Sequence, residues 1–213
     1  MADLLIELIS EEIPARMQAT AAQHFAHAVH VALEKLGVWG DDAKIDGLCG
    51  PRHLAIYASG ISVTQPDQVI VKRGPRVDAS EAAITGFLKS SGQPREKLVE
   101  EDTPKGRFFF ARSHVAGSET TALLGDAVRD ILTQFPWPKS QRWGLGSFRW
   151  IRPLHRINIL FDRQPLAGSL DLGGAESIAF GATSCGHYFE APDNISLVDV
   201  DSVGEFKCRL SGA

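Results

Sequence analysis

Six cations, Lys139, Arg142, Arg149, Arg152, Arg156 and Arg163, fall within residues 137–163 against one acid, Asp162. The whole chain carries a formal charge of -4, so this window holds a net +5 and everything else about -9. Trp137 precedes the first of these cations, and Trp143, Phe148, Trp150 and Phe161 lie between them. Guanidinium groups pair with phosphate oxygens in a fork geometry and flat rings accept unstacked bases, so the mixture suits RNA. The same pattern also describes a strand whose aromatics enter the core while arginine stems cover apolar surface.

Other chemistry is sparse. Gly144-Leu145-Gly146 has Arg149 where a dinucleotide loop needs a third glycine, and no Gly-Lys-Ser or Gly-Lys-Thr phosphate loop occurs. His24, His27 and His30 recur at helical spacing, but with Gln23 and Glu34 they read as a polar helix face rather than a closed metal set. His187, in a glycine-flanked stretch, has no Ser, Cys or Asp placed in sequence to complete a triad, which favours a backbone-bonded role over acid–base work. Arg52, after Gly50-Pro51, suits either a phosphate contact or a helix-end contact. No metal ligand is expected.

Five collinear blocks resemble the landmarks of one family. Pro136-Trp137-Pro138-Lys139-Ser140-Gln141-Arg142-Trp143-Gly144, followed by Phe148 and Arg152-Pro153, is similar to the strongest internal signature of the beta subunit of bacterial glycyl-tRNA synthetase. Leu4-Leu5-Ile6-Glu7-Leu8 with Ser10-Glu11-Glu12-Ile13-Pro14 resembles that family's opening. Gly50-Pro51-Arg52-His53-Leu54-Ala55, Lys72-Arg73-Gly74-Pro75 and Gly186-His187-Tyr188-Phe189 resemble its later landmarks. The chain departs from the pattern in a short connection from Val77 to Ala83 and in Tyr188, where the family has arginine.

The resemblance implies part of a ligase that joins glycine to its tRNA with ATP. Adenylate chemistry, with its ATP and Mg, is expected in a separate alpha subunit, so no catalytic residue and no cofactor are expected in this stretch. The beta chain is expected to bind tRNA and to support an assembly of two alpha and two beta chains in the cytoplasm, with neither membrane nor DNA as partner. RNA-contact candidates are Arg52, Lys72, Arg73, Lys139, Arg142, Arg149, Arg152, Arg156 and His187. The alternative is an assembly scaffold whose basic window meets alpha-subunit carboxylates without touching tRNA. An editing-type hydrolase would require a water-positioning polar pocket, which is not evident in the sequence. Residues 1–202 are expected to be the N-terminal region of such a subunit, with a sub-boundary near residues 92–106. Residues 203–213 do not resemble the family and are expected to be a disordered tail.

The scaffold that must position these residues reads as α+β: a mixed β-sheet with flanking helices, which the resemblance likens to the editing-type domain of the phenylalanyl-tRNA synthetase beta subunit. At 213 residues and 44% apolar content the chain can bury roughly 70% of its unfolded surface. It lacks a long apolar run or signal segment, and its three scattered cysteines, Cys49, Cys185 and Cys208, fit a reducing compartment. Asp3 to Ile9 reads as a buried strand. Met17, Ala21, Phe25, Ala28, Ala32 and Leu36 give one helix face, with Pro14 in the first turn, Glu11 and Glu12 at the positive end and Gly37 as the stop. Lys44–Leu48, Leu54–Ser62 and Gln68–Lys72 read as strands, and Asp78 with Glu81 as a capping box for a helix ending near Gly92. Arg107–Val115 reads as a strand, Ser118–Phe135 as a helix and Leu154–Asp162 as a strand, so strand, helix and strand occur twice and internal duplication is one hypothesis.

Overall fold

The first strand sets the layering. β1 (Ala2–Ser10) sends Leu4, Ile6 and Leu8 to one face of the sheet and Leu5 and Glu7 to the other, as the two-residue period of a strand requires. The computed structural model describes residues 1–104, 106–186 and 194–211. The chain divides into one unit of residues 1–65 with 118–213 and a second unit of residues 66–117. The sub-boundary expected near residues 92–106 therefore falls inside the second unit.

In the first unit, α1 (Ala15–Lys35) follows β1 and leads to β2 (Trp39–Cys49) and β3 (His53–Ile61). After the second unit the chain returns with α3 (Thr120–Thr133), β7 (Leu154–Phe161), β8 (Gln164–Pro165), β9 (Ser169–Gly173) and β10 (Glu176–Gly181). The sheet order is β2-β3-β1-β7-β10-β9, with β8 paired to β7. All neighbours are antiparallel except β10 on β7, so the sheet is mixed. β11 (Thr183–Cys185) and β12 (Asn194–Ser196) form a separate two-stranded ribbon, and α4 (Val203–Ser211) ends the described chain.

α1 and α3 cover one face. Ala21, Phe25, Val29 and Leu33 of α1 and Leu124, Val128 and Leu132 of α3 join Leu4, Ile6, Leu8, Leu54, Ile56, Ile157 and Ile159 in the main core. Gly47 lets α1 lie close against β2, since a Cβ there would stand 2.3 Å from the carbonyl oxygen of Ala22. Gly37, at φ 71°, ends α1 through the left-handed region as its sequence position predicts. On the opposite face Leu5, Ala55, Tyr57 and Leu160 pack with Leu197, Val200 and Phe206. Phe206 of α4 is fully buried, so the segment expected as a disordered tail is instead anchored to the sheet.

The second unit contains β4 (Gln68–Arg76), α2 (Glu81–Ser91), β5 (Leu98–Thr103) and β6 (Gly106–Val115), with an antiparallel sheet in the order β4-β6-β5. α2 is capped by Ser80, whose hydroxyl accepts from the Ala83 N–H, rather than by the expected Asp78. α1 begins at Ala15, one residue later than expected, which leaves Glu11 and Glu12 outside its first turn. β6 pairs within this second sheet, whereas β7 belongs to the first. The two strand–helix–strand cycles are thus not equivalent, and the duplication hypothesis fails on topology.

Phe25 is the central aromatic of the α1 face, fully buried and edge-on to Phe135 with ring centroids 6.1 Å apart. Phe25→Ala should therefore lower the unfolding free energy by about 3–5 kcal/mol, measured by the shift of a urea denaturation midpoint.

Candidate functional site

The second face of the sheet holds a buried polar cluster. Register places Asn158 of β7 directly opposite Glu7 of β1. Ala55 of β3 lies opposite Glu7 on the other side, which puts His53 one diagonal step away on the same face. Glu7 has no exposed surface. Its Oε1 accepts from His53 Nδ1 at 2.9 Å and from Ser184 Oγ at 2.7 Å, and its Oε2 accepts from Asn158 Nδ2 at 2.8 Å. An uncompensated buried carboxylate is costly, and these donors offset that cost. Asn158 also donates to the Thr183 carbonyl at 2.9 Å and accepts from the Thr183 N–H at 3.1 Å, which fixes β11 over the sheet.

A groove of about 1380 Å³ opens beside this cluster, and His53 lines it. Three loops form its walls. The Ser10 N–H donates to the Arg52 carbonyl at 2.9 Å, the Ile13 N–H to the Pro51 carbonyl, and the Glu11 N–H to the Pro153 carbonyl at 2.9 Å. These bonds tie the segment after β1 to the β2–β3 loop and to the approach to β7. Glu11, Arg52, Gln141, Arg152 and Lys207 supply polar groups around the rim. Ser10-Glu11-Glu12, Gly50-Pro51-Arg52, Arg152-Pro153 and Gly186, distant in sequence, thus meet at one end of the sheet.

The basic–aromatic window separates into two populations. Trp150 is 1% exposed, stacks on Phe148 at 5.9 Å and stands edge-on to Trp137 at 5.1 Å. Trp143 is half-buried and edge-on to Phe148. These rings belong to the α1 side of the core, which decides between the two readings of the window in favour of aromatics that enter the core. Among the cations, Arg149 donates to Ser140 Oγ at 3.1 Å and to the Ser140 carbonyl at 2.8 Å, bracing its own loop. Arg156 donates to Asn194 Oδ1 at 2.9 Å, and Arg52 Nε to the Ser10 carbonyl at 3.1 Å. Arg163 occupies the β7–β8 hairpin with Asp162, both at positive φ. Lys139, Arg142 and Arg152 are exposed and have no hydrogen bond or ion pair among the described residues.

The remaining candidates are dispersed. Lys72 and Arg73 are exposed on β4 of the second unit, where Arg73 lies 3.8 Å over the Phe108 ring. His187 lies outside the described residues. Glu11 pairs with His155 at 3.2 Å, and His30 of α1 pairs with Glu34 at 3.4 Å. Among the described residues no three His, Cys, Asp or Glu side chains are grouped to hold a metal ion. Burial pushes the Cys49 thiol up to about 11, so this groove-lining cysteine remains protonated and unreactive near neutral pH. Burial, with Asp3 accepting the Tyr57 hydroxyl at 2.7 Å, raises the Tyr57 phenol well above its ordinary range. Sequence reading missed Glu7 and the groove; the available signal was a single acid inside the apolar run Leu4-Leu5-Ile6-Glu7-Leu8-Ile9.

Replacing Glu7 with Gln puts an N–H₂ group among donors that need an acceptor. Glu7→Gln should lower stability by about 1–3 kcal/mol, read as a lower urea midpoint with an unchanged slope.

Residues 4–212 match the family model described as glycyl-tRNA synthetase beta subunit. The chain is similar to the glycine–tRNA ligase beta subunit of Paracoccus denitrificans, 42% identical over 197 residues that make up 92% of this chain and 28% of the relative. It is 40% identical to the protein of that name from Ruegeria sp. over 92% of this chain and 28% of the relative. The corresponding protein of Rhodospirillum centenum is 38% identical over all of this chain and 32% of its own length. The chain thus spans under a third of the length of these relatives.

Proposed function

The chain belongs to the glycyl-tRNA synthetase beta subunit family, and we propose that it serves the ATP-dependent ligation of glycine to tRNA by binding tRNA and assembling with an alpha subunit. The observation that carries the RNA part is the set of uncommitted cations. Lys139, Arg142 and Arg152 are exposed and unpaired among the described residues, in the stretch with the highest positive charge density. Arg149 and Arg156 keep their charge but are held in place by internal hydrogen bonds to neutral groups.

Adenylate formation, with its ATP and Mg²⁺, is assigned to the alpha subunit in a cytoplasmic assembly of two alpha and two beta chains. The sequence here lacks a phosphate-cradling loop, in keeping with that division. The mixed sheet with two helices on one face supports the likeness to the editing-type domain of the phenylalanyl-tRNA synthetase beta subunit. No helix among the described residues is long and apolar enough to cross a membrane.

The test uses the full-length beta chain with its alpha partner. Each phosphate contact releases condensed counterions, so Arg142→Gln and Arg152→Gln should each lower the slope of log affinity for tRNA against log salt by about 0.7–0.9. If the slope and affinity stay unchanged while alpha–beta assembly weakens, these arginines meet acids of the partner and the scaffold reading replaces this one.

A further inference from the structure

The fixed orientation of His53 gives the groove a chemical preference. Glu7 is fully buried and accepts from three donors on three strands, so its carboxylate has no freedom to turn. A carboxylate oxygen accepts only, and therefore His53 Nδ1 carries the proton in their 2.9 Å hydrogen bond. In the neutral ring Nε2 is then a lone-pair acceptor, on the edge opposite Glu7, and it has no partner among the described residues. A buried carboxylate that fixes the tautomer and plane of a histidine is a positioning device for whatever meets the other nitrogen.

The same groove carries exposed Arg152 and Lys207, neither with a hydrogen bond or ion pair among the described residues, and the exposed amide of Gln141. The groove thus offers one oriented acceptor for a hydroxyl and two free cations for an anion. Glu11 and Glu12 on the rim disfavour phosphate on their side, and Glu11 is engaged with His155. Hydroxyl and phosphate on adjoining atoms are the features of a ribose-phosphate backbone. DNA lacks the hydroxyl, and protein contacts that select RNA beyond its helical shape are made mostly to single-stranded segments.

We propose that the groove takes a single-stranded RNA segment, with His53 Nε2 accepting a hydrogen bond from a ribose 2′-hydroxyl and with Arg152 and Lys207 pairing with its phosphates. The assignment rests on the tRNA-binding reading and names the part of the RNA that this groove selects.

The probes are a fluorescent RNA hexamer, its all-2′-deoxy counterpart and its 2′-O-methyl counterpart, titrated against the full-length beta chain at fixed low salt. The ribose hexamer should bind about three- to tenfold tighter than either modified strand, the range of one net hydrogen bond. His53→Asn keeps an amide donor for Glu7 and deletes the Nε2 acceptor, and it should reduce that preference towards one. Equal affinity for the three strands, or a preference that survives in a folded His53→Asn variant, overturns the proposal. The 2′-O-methyl strand tests it on the unaltered protein should the variant fail to fold. If the preference is absent while Arg142→Gln and Arg152→Gln still lower the tRNA salt slope, this inference alone fails. If neither tRNA nor the hexamers bind, the tRNA reading fails with it.

Discussion

A charged side chain with no exposed surface constrains everything around it, and here that side chain is Glu7. Burying a carboxylate costs several kcal/mol unless its lone pairs are satisfied. The donors come from β3, β7 and β11, segments between 46 and 177 residues away in sequence. Glu7 therefore acts as a register pin. A one-residue slip of β1 would carry it into the apolar layer under α1 and α3, with Leu8 or Ile6 left among the donors. The same pin holds β11, through Ser184 directly and through the double hydrogen bond of Asn158 with Thr183. The groove lies beside that junction because the pin gathers the strand ends there.

The fate of the basic–aromatic window follows from the two faces of the sheet. Its rings supply the apolar volume that α1 needs at its open side, around Phe25 and Phe135. Buried aromatics contribute large area and edge-on contacts, so they are better employed in the core than on the surface. Once the rings turn inward, the cations between them are left at the surface. Some hydrogen-bond to nearby backbone, as Arg149 does to Ser140, and some remain free. Local hydrogen bonds to neutral groups fix the position of some of these cations and leave others free to move toward a partner.

Elements with long, regular periodicity were legible in the sequence. Ala21 and Phe25 of the helix face, the stop at Gly37, and the alternation of Ile157 and Ile159 against Asn158 appear as read, whereas beyond Phe25 the buried positions are Val29 and Leu33 rather than Ala28 and Ala32. β2 begins at Trp39 rather than Lys44, because Asp41 and Asp42 are tolerated on the exposed edge of a sheet and no apolar alternation marks them. β5 and the short strands from β8 to β12 have too few residues for a period. α4 depends on one anchor, Phe206, which carries meaning only once Leu5 and Tyr57 present an apolar face. As for the site, Arg52 and Arg152 were legible as cations. That they share a groove was not, since it rests on backbone bonds among three loops. Glu7 was hidden because its partners lie across strands, where no local spacing points to them.

The groove's chemistry depends on the orientation that Glu7 gives to His53. Nitrogen-15 NMR of the imidazole rings, at about pH 9 where an ordinary histidine is neutral, tests it most directly. His53 should show a protonated Nδ1, coupled to its own hydrogen, and an unprotonated Nε2, and Glu7→Gln should disturb this pattern. A His53 ring that instead carries its proton on Nε2, or exchanges freely between tautomers as a solvent-exposed histidine does, would contradict it.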